Sequence, residues 1–147
     1  MKSLTVKDHV ERIISTVEKA IPGYLDNPAD RNNDGNVAIC IIDHQGNIYG
    51  RMYGKNKVCS RRIYQIAWTK ASQVFLTGMK TRDFEKKVFN GELNEEDFGI
   101  EAPDLIGWPG GQPIVLKDGT RLSIGFSGFS GASDLDIVQK AVEEIDK

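Results

Sequence analysis

The chain of 147 residues contains two cysteines and two histidines, only 8% of it is aromatic, and its 19 basic and 21 acidic side chains leave a net charge of -2. Each scarcity excludes a class of protein. Cys40 and Cys59 are too far apart for a CxxC redox or zinc motif, and the separated His9 and His44 do not make a dedicated structural zinc site. The balanced charge offers no basic footprint for nucleic acid and no polybasic arm for an anionic membrane. No apolar run approaches the ~20 residues that a membrane-spanning helix needs. The N-terminus MKSLTVKDHVERI is charged and amphipathic, without the apolar centre of a signal peptide. The expectation is a cytoplasmic, reduced protein with neither nucleic-acid nor membrane partners. The sequence also lacks a G-x-S-x-G elbow, an H-E-x-x-H helix and a reactive-cysteine motif.

What is present is ordinary globular material, 39% hydrophobic and 27% charged, with a length that fits a single domain over residues 1–147. Thr5-Val6-Lys7-Asp8 has the form of a capping box. Behind it Val10, Ile13, Ile14, Val17 and Ile21 recur at helical spacing, and Pro22-Gly23 predicts the end of that helix. Residues 37–42, VAICII, read as a buried strand, and the turn Asp43-His44-Gln45-Gly46-Asn47 returns the chain into a second strand over residues 48–53. A helix is predicted over residues 61–76, with Ile63, Ile66, Ala67, Ala71, Val74 and Phe75 on one face and Gly78 as its terminator. A short helix near residues 81–91 leads into a long acidic connection, residues 92–106. A second hairpin turns at Lys117-Asp118-Gly119, and Ser133 with Asp136 forms a capping box for the last helix. Hairpins imply antiparallel pairing, so the class is α+β.

The stretch ADRNNDGNV, residues 29–37, carries Asp30, Asn32, Asp34 and Gly35 on the spacing that opens a calcium loop. The twelfth position, which should be a bidentate glutamate, is Ile41, and a strand follows where a helix should. Asn, Asp and Gly also gather in plain turns. The reading is a loop that feeds a strand.

Four features have chemical potential. Gly125-Phe126-Ser127-Gly128-Phe129-Ser130-Gly131 precedes a helix N-terminus. Its free amides suit a carboxylate or phosphate, and the same glycines equally suit close backbone packing followed by a turn. Gly110-Gly111-Gln112-Pro113 sets a sharp approach to a strand at Ile114, beside Trp108-Pro109. Lys70 lies in the uncharged stretch IAWTKASQVF, where it either snorkels outward or points into a polar pocket to hold an anion. His9 lies beside the apolar stripe of the first helix, as core or facing a pocket or a neighbouring subunit, and His44 is expected at the surface of a turn. These two are the nitrogen side chains suited to a haem iron or transition metal.

Taken in order, VAICIIDHQGNIYGRMYG, IAWTKASQVFLTGMKT and GWPGGQPIVLKDGTRLSIGFSG, followed by an acid-started helix, resemble the GlcG/HbpS family of haem-binding and haem-degrading proteins. Related domains stand at the C-terminus of some corrinoid adenosyltransferases. Asp43 and Gly46 match the family's first motif, and Lys70 and Ala71 its second. Gly110, Gly111, Pro113 and Ile114 match the third, and Ile124, Gly125, Ser127 and Gly128 the fourth. The resemblance implies a profilin-like antiparallel sheet flanked by helices and homo-oligomers, as in octameric members. It implies a small-molecule ligand, with haem or a related tetrapyrrole the first to consider. On that reading Lys70, Gly110, Gly111, Pro113, Gly125, Ser127, Gly128 and Asp134 line the ligand site and His9 reaches the iron. One alternative is an enzyme acting on a small anionic or aromatic metabolite, with Asp134 or Asp43 moving a proton. Another is a structural or partner-regulating oligomer without catalysis. The chain departs from the pattern in its acidic insert, in Phe126 for a small aliphatic residue, and in Trp68 and Ser72 around Lys70.

Overall fold

A computed structural model describes residues 4–101 and 104–147; residues 1–3 of the charged N-terminus and Ala102 and Pro103 of the acidic connection lie outside the described part. Helix α1, Val6–Tyr24, starts as its capping box predicts. The Thr5 hydroxyl accepts from the Asp8 amide at 3.1 Å, and the Thr5 amide donates back to Asp8 at 2.9 Å. The helix runs past the expected stop: Pro22 falls in its last turn, where its missing N–H breaks the hydrogen-bond ladder only near the helix end.

Strands β1 (Ala38–Asp43) and β2 (Ile48–Met52) form the first hairpin, and β3 (Gly111–Val115) and β4 (Arg121–Ser127) the second. All three pairings are antiparallel, in the order β2-β1-β4-β3. Pro113 is tolerated because β3 is an edge strand, and β3 begins at Gly111 rather than at the expected Ile114.

Helix α2, Lys57–Thr77, begins four residues before the expected start, because Asn56 caps it by accepting from the Cys59 amide. Gly78 closes it in the left-handed region at φ 70°. A short α3, Thr81–Phe89, follows. Helix α4, Gly131–Ile145, is capped by Ser130, one turn before the expected Ser133. Ser133 is engaged elsewhere, donating its hydroxyl to Asp30 at 2.7 Å.

The alternation of each strand sorts side chains to two faces. Ile39, Ile41, Leu122, Ile124 and Phe126 meet α1 and α4 in the larger core. Ala38, Cys40 and Ile42 meet Ile63, Ala67 and Ala71 of α2 on the other face. The second face is built of small residues because α2 lies hard against the sheet, and a side chain at Gly125 would collide with the Ala67 carbonyl. Phe75, expected on the core side of α2, is instead 42% exposed. It sits at the edge of the buried stripe, which centres on Ile63, Ala67, Lys70 and Val74.

Candidate functional site

Lys70 projects from the middle of α2 toward the end of the sheet, and its stem packs against Gly111 and Gly125, which leave the room it occupies. Its Nζ donates to the Phe126 carbonyl at 2.9 Å and to Asp134 Oδ2 at 3.3 Å. The two side chains are 2% and 4% exposed. The other oxygen of Asp134 accepts from the Phe129 amide at 2.9 Å. Gly110, at φ 127°, lies against the same ammonium, and any side chain there would run into the Phe126 carbonyl. Burial lifts the Asp134 carboxyl to about 7 against the pull of Lys70. Burial likewise lowers the Lys70 ammonium, and Asp134 opposes that shift.

A second buried carboxylate completes this end of the molecule. Asp30, from the calcium-like stretch, accepts from the Ser130 amide and the Ser133 hydroxyl, each at 2.7 Å. Asn33 of the same stretch donates to the Gly128 carbonyl at 2.9 Å. The loop is therefore a brace for the start of α4, held by residues 95 to 103 positions away in sequence. Among the described residues no group of three or more His, Cys, Asp or Glu is placed to hold a metal ion.

The structure thus brings together Lys70, Gly110, Gly111, Gly125 and Asp134, while Gly128, next to Ser127 at the end of β4, packs against Val37. The groups of this cluster are bonded within the chain: the Phe126 amide to Gly110, the Phe129 amide to Asp134 and the Ser130 amide to Asp30. Pro113 lies apart, facing two clefts on the edge strand. His9 lies elsewhere too, on α1, with Nε2 2.7 Å from Asp118 Oδ2 in the β3–β4 turn and Nδ1 buried without a partner. The Thr120 amide first, and then His9, hold the Asp118 carboxyl down at about 2. Asp43 accepts from the Gln45 and Asn47 amides, the Asn47 side chain and the Tyr49 hydroxyl. Burial pushes its carboxyl up, and these bonds outweigh that and hold it below its ordinary value. Its oxygens serve the hairpin turn. Cys40 and Cys59 are both free thiols; burial raises that of Cys40 to about 11.

Away from the Lys70–Asp134 pair, open space lies between α2, the first hairpin and the long connection. A cleft of about 400 Å³ is walled by Trp68, Phe75 and Leu76 of α2, Ile42 and Ile48 of the first hairpin, and Ile100 of the long connection. Gln73 fixes that connection by exchanging two hydrogen bonds with the Ile106 backbone, at 2.8 and 3.0 Å. Ile48, Trp68, Phe75 and Leu76 are each between 42% and 54% exposed. A neighbouring cleft shares Phe75 and continues past Val74 and Gly78 to His44, Val115, Arg121 and Ser123. Spaces of this size and apolar character suit a small organic ligand. Trp68, Phe75 and Leu76 are the residues that sequence reasoning did not assign to a site. Their signal was that α2 carries large apolar side chains outside its single buried stripe.

A family model described as haem degrading protein HbpS-like matches residues 24–143. No curated protein matches the sequence. Among solved structures, a PduOC:heme complex superposes with a TM-score of 0.69 at 17% identity, over 97% of this chain and 94% of that one. Protein ORFY of Klebsiella pneumoniae gives 0.67 at 18% identity, over 97% and 94%. A double mutant of HbpS from Streptomyces reticuli gives 0.61 at 17% identity, over 100% and 90%. At these identities the likeness is one of fold.

Proposed function

The chain belongs to the HbpS-like family, and within that family we propose that it binds a tetrapyrrole of the haem class in the cleft between α2, the first hairpin and the long connection. The observation that carries this reading is the apolar cleft itself. Four large apolar side chains, two of them aromatic, stand about half exposed around one space of about 400 Å³. A soluble surface rarely keeps such a patch uncovered without a use. Flat aromatic walls and aliphatic edges match a planar apolar macrocycle, and the complex of PduOC with heme supports that ligand class.

The buried Lys70–Asp134 pair fits a different role. Neither side chain lines the clefts around α2, and each is the other's counter-ion. We read the pair as the tie between α2, β4 and α4. Assembly of the protein with itself fits the exposed apolar residues outside the cleft, since Val58 and Phe89 are 75% and 74% exposed.

The test is a titration of apo-protein with haemin, followed at the Soret band, for the wild type and Phe75→Ser. A saturable shift that weakens about tenfold in the variant, the scale of one lost apolar contact, is expected. No saturable shift in the wild type overturns the reading.

A further inference from the structure

The ladder between β1 and β4 pairs Ile42 with Ser123 and Asp43 with Leu122. The ladder ends there: His44 is the first residue of the turn that follows β1, while on the other side the β3–β4 ladder sets Arg121 opposite Val115. Side chains alternate along a strand, and Ala38, Cys40 and Ile42 face α2 while Leu122, Ile124 and Phe126 face α1 and α4. Arg121, one residue before Leu122 in β4, therefore belongs to the α2 face, and His44 reaches the cleft on that face from the turn. The two residues do line one cleft together, with Phe75 between it and the apolar cleft beside Trp68. No ion pair among the described residues includes either His44 or Arg121.

The donor set fits the ligand class on chemical grounds. An imidazole supplies a nitrogen for iron, a guanidinium receives a carboxylate in two parallel hydrogen bonds, and an apolar wall stands between them and Trp68. His9 offers the poorer nitrogen, since its Nε2 is held by Asp118 and its Nδ1 is buried.

We propose that His44 is the nitrogen ligand for the iron of a bound haem and that Arg121, which lines the same cleft, holds a peripheral carboxylate of the same molecule. This rests on the tetrapyrrole reading above, and the experiment separates the two. Haemin and iron-free protoporphyrin IX are titrated separately into the full chain, as wild type, His44→Ala, Arg121→Gln and His9→Ala. His44→Ala is expected to weaken haemin about tenfold, to shift the Soret and visible bands of the ferric complex, and to leave protoporphyrin binding unchanged. Arg121→Gln is expected to weaken both ligands about threefold, the scale of an exposed charge pair. His9→Ala is expected to change neither spectrum nor affinity. His44 and Arg121 are on the surface, so loss of folding does not confuse those two results, and the buried His9→Ala variant is compared only after its far-ultraviolet circular dichroism matches the wild type. A haemin spectrum and affinity unmoved by His44→Ala overturn the ligand assignment, and an unmoved Arg121→Gln overturns the carboxylate contact. Failure of both ligands to bind the wild type overturns the tetrapyrrole reading, and this inference with it.

Discussion

Lys70 and Phe75 are five residues apart on one helix, and each sits where the other would be expected. The lysine is 1% exposed and the phenylalanine 42%. Around Lys70 the protein has turned polar groups inward and matched them: an ammonium, two carboxylates and several amides are bonded to one another between α2, β4 and α4. Around Phe75 it has turned apolar groups outward and left a cleft between them. Burying a charge costs several kcal/mol unless it is paired, on the order of the stability of a small domain. A pair kept at that cost fixes geometry, here the approach of α2 to a sheet edge made of glycines. An exposed apolar wall is costly for the opposite reason and invites a ligand. The same helix therefore carries a structural face and the face on which we place the ligand.

The sharpest way to break this comparison is to empty the buried pair. Lys70→Met leaves Asp134 without its counter-ion and is expected to destabilise the protein by about 3–5 kcal/mol, measured by urea unfolding. Adding Asp134→Leu should restore most of that loss, because a well-packed apolar pair is nearly neutral there. Asp30→Ala is next in size. It strands the Ser130 amide and the Ser133 hydroxyl and should cost about 1–3 kcal/mol in the same assay.

A pH series sharpens the contrast further. Asp134 has its carboxyl raised from 3.8 to about 7, chiefly by burial. A raised group contributes stability that is fully present below its unfolded value and is lost as pH rises through its folded value. The stability of the wild type relative to Asp134→Asn should therefore fall as pH rises from about 4 to about 7. A difference that grows across that window would show that the Asp134 carboxyl is held below, not above, its ordinary value.

The sequence made some of this legible and hid the rest for a physical reason. Local signals were read directly: Thr5 with Asp8 capped α1, Gly78 closed α2, and the hairpins turned where Asn, Asp and Gly gather. The glycines at 110, 111 and 125 stood out as a possible cradle for an anion, and Lys70 as the residue to hold one. In the structure the cradle contains Lys70 itself and the anion beside it is Asp134. Spacing along the chain cannot show which carboxylate, 64 residues on, will arrive. Asp30 drew notice through a calcium-like spacing and gained its partners 100 residues later. Phe75 was placed inside because helical periodicity defines a stripe and does not rank the residues at its edge. Trp68 and Ser72 were visible only as departures from a family pattern, and they line the cleft.

The most direct measurement maps a ligand onto the two regions at once, by backbone amide chemical shifts on addition of iron-free protoporphyrin IX. The account predicts shifts at residues 42–48, 68–76 and 121–123, around Phe75, with those of residues 125–134 left in place. Shifts centred on Lys70, Gly110 and residues 125–134, with Trp68 and Phe75 silent, would contradict it and make the buried pair the binding site.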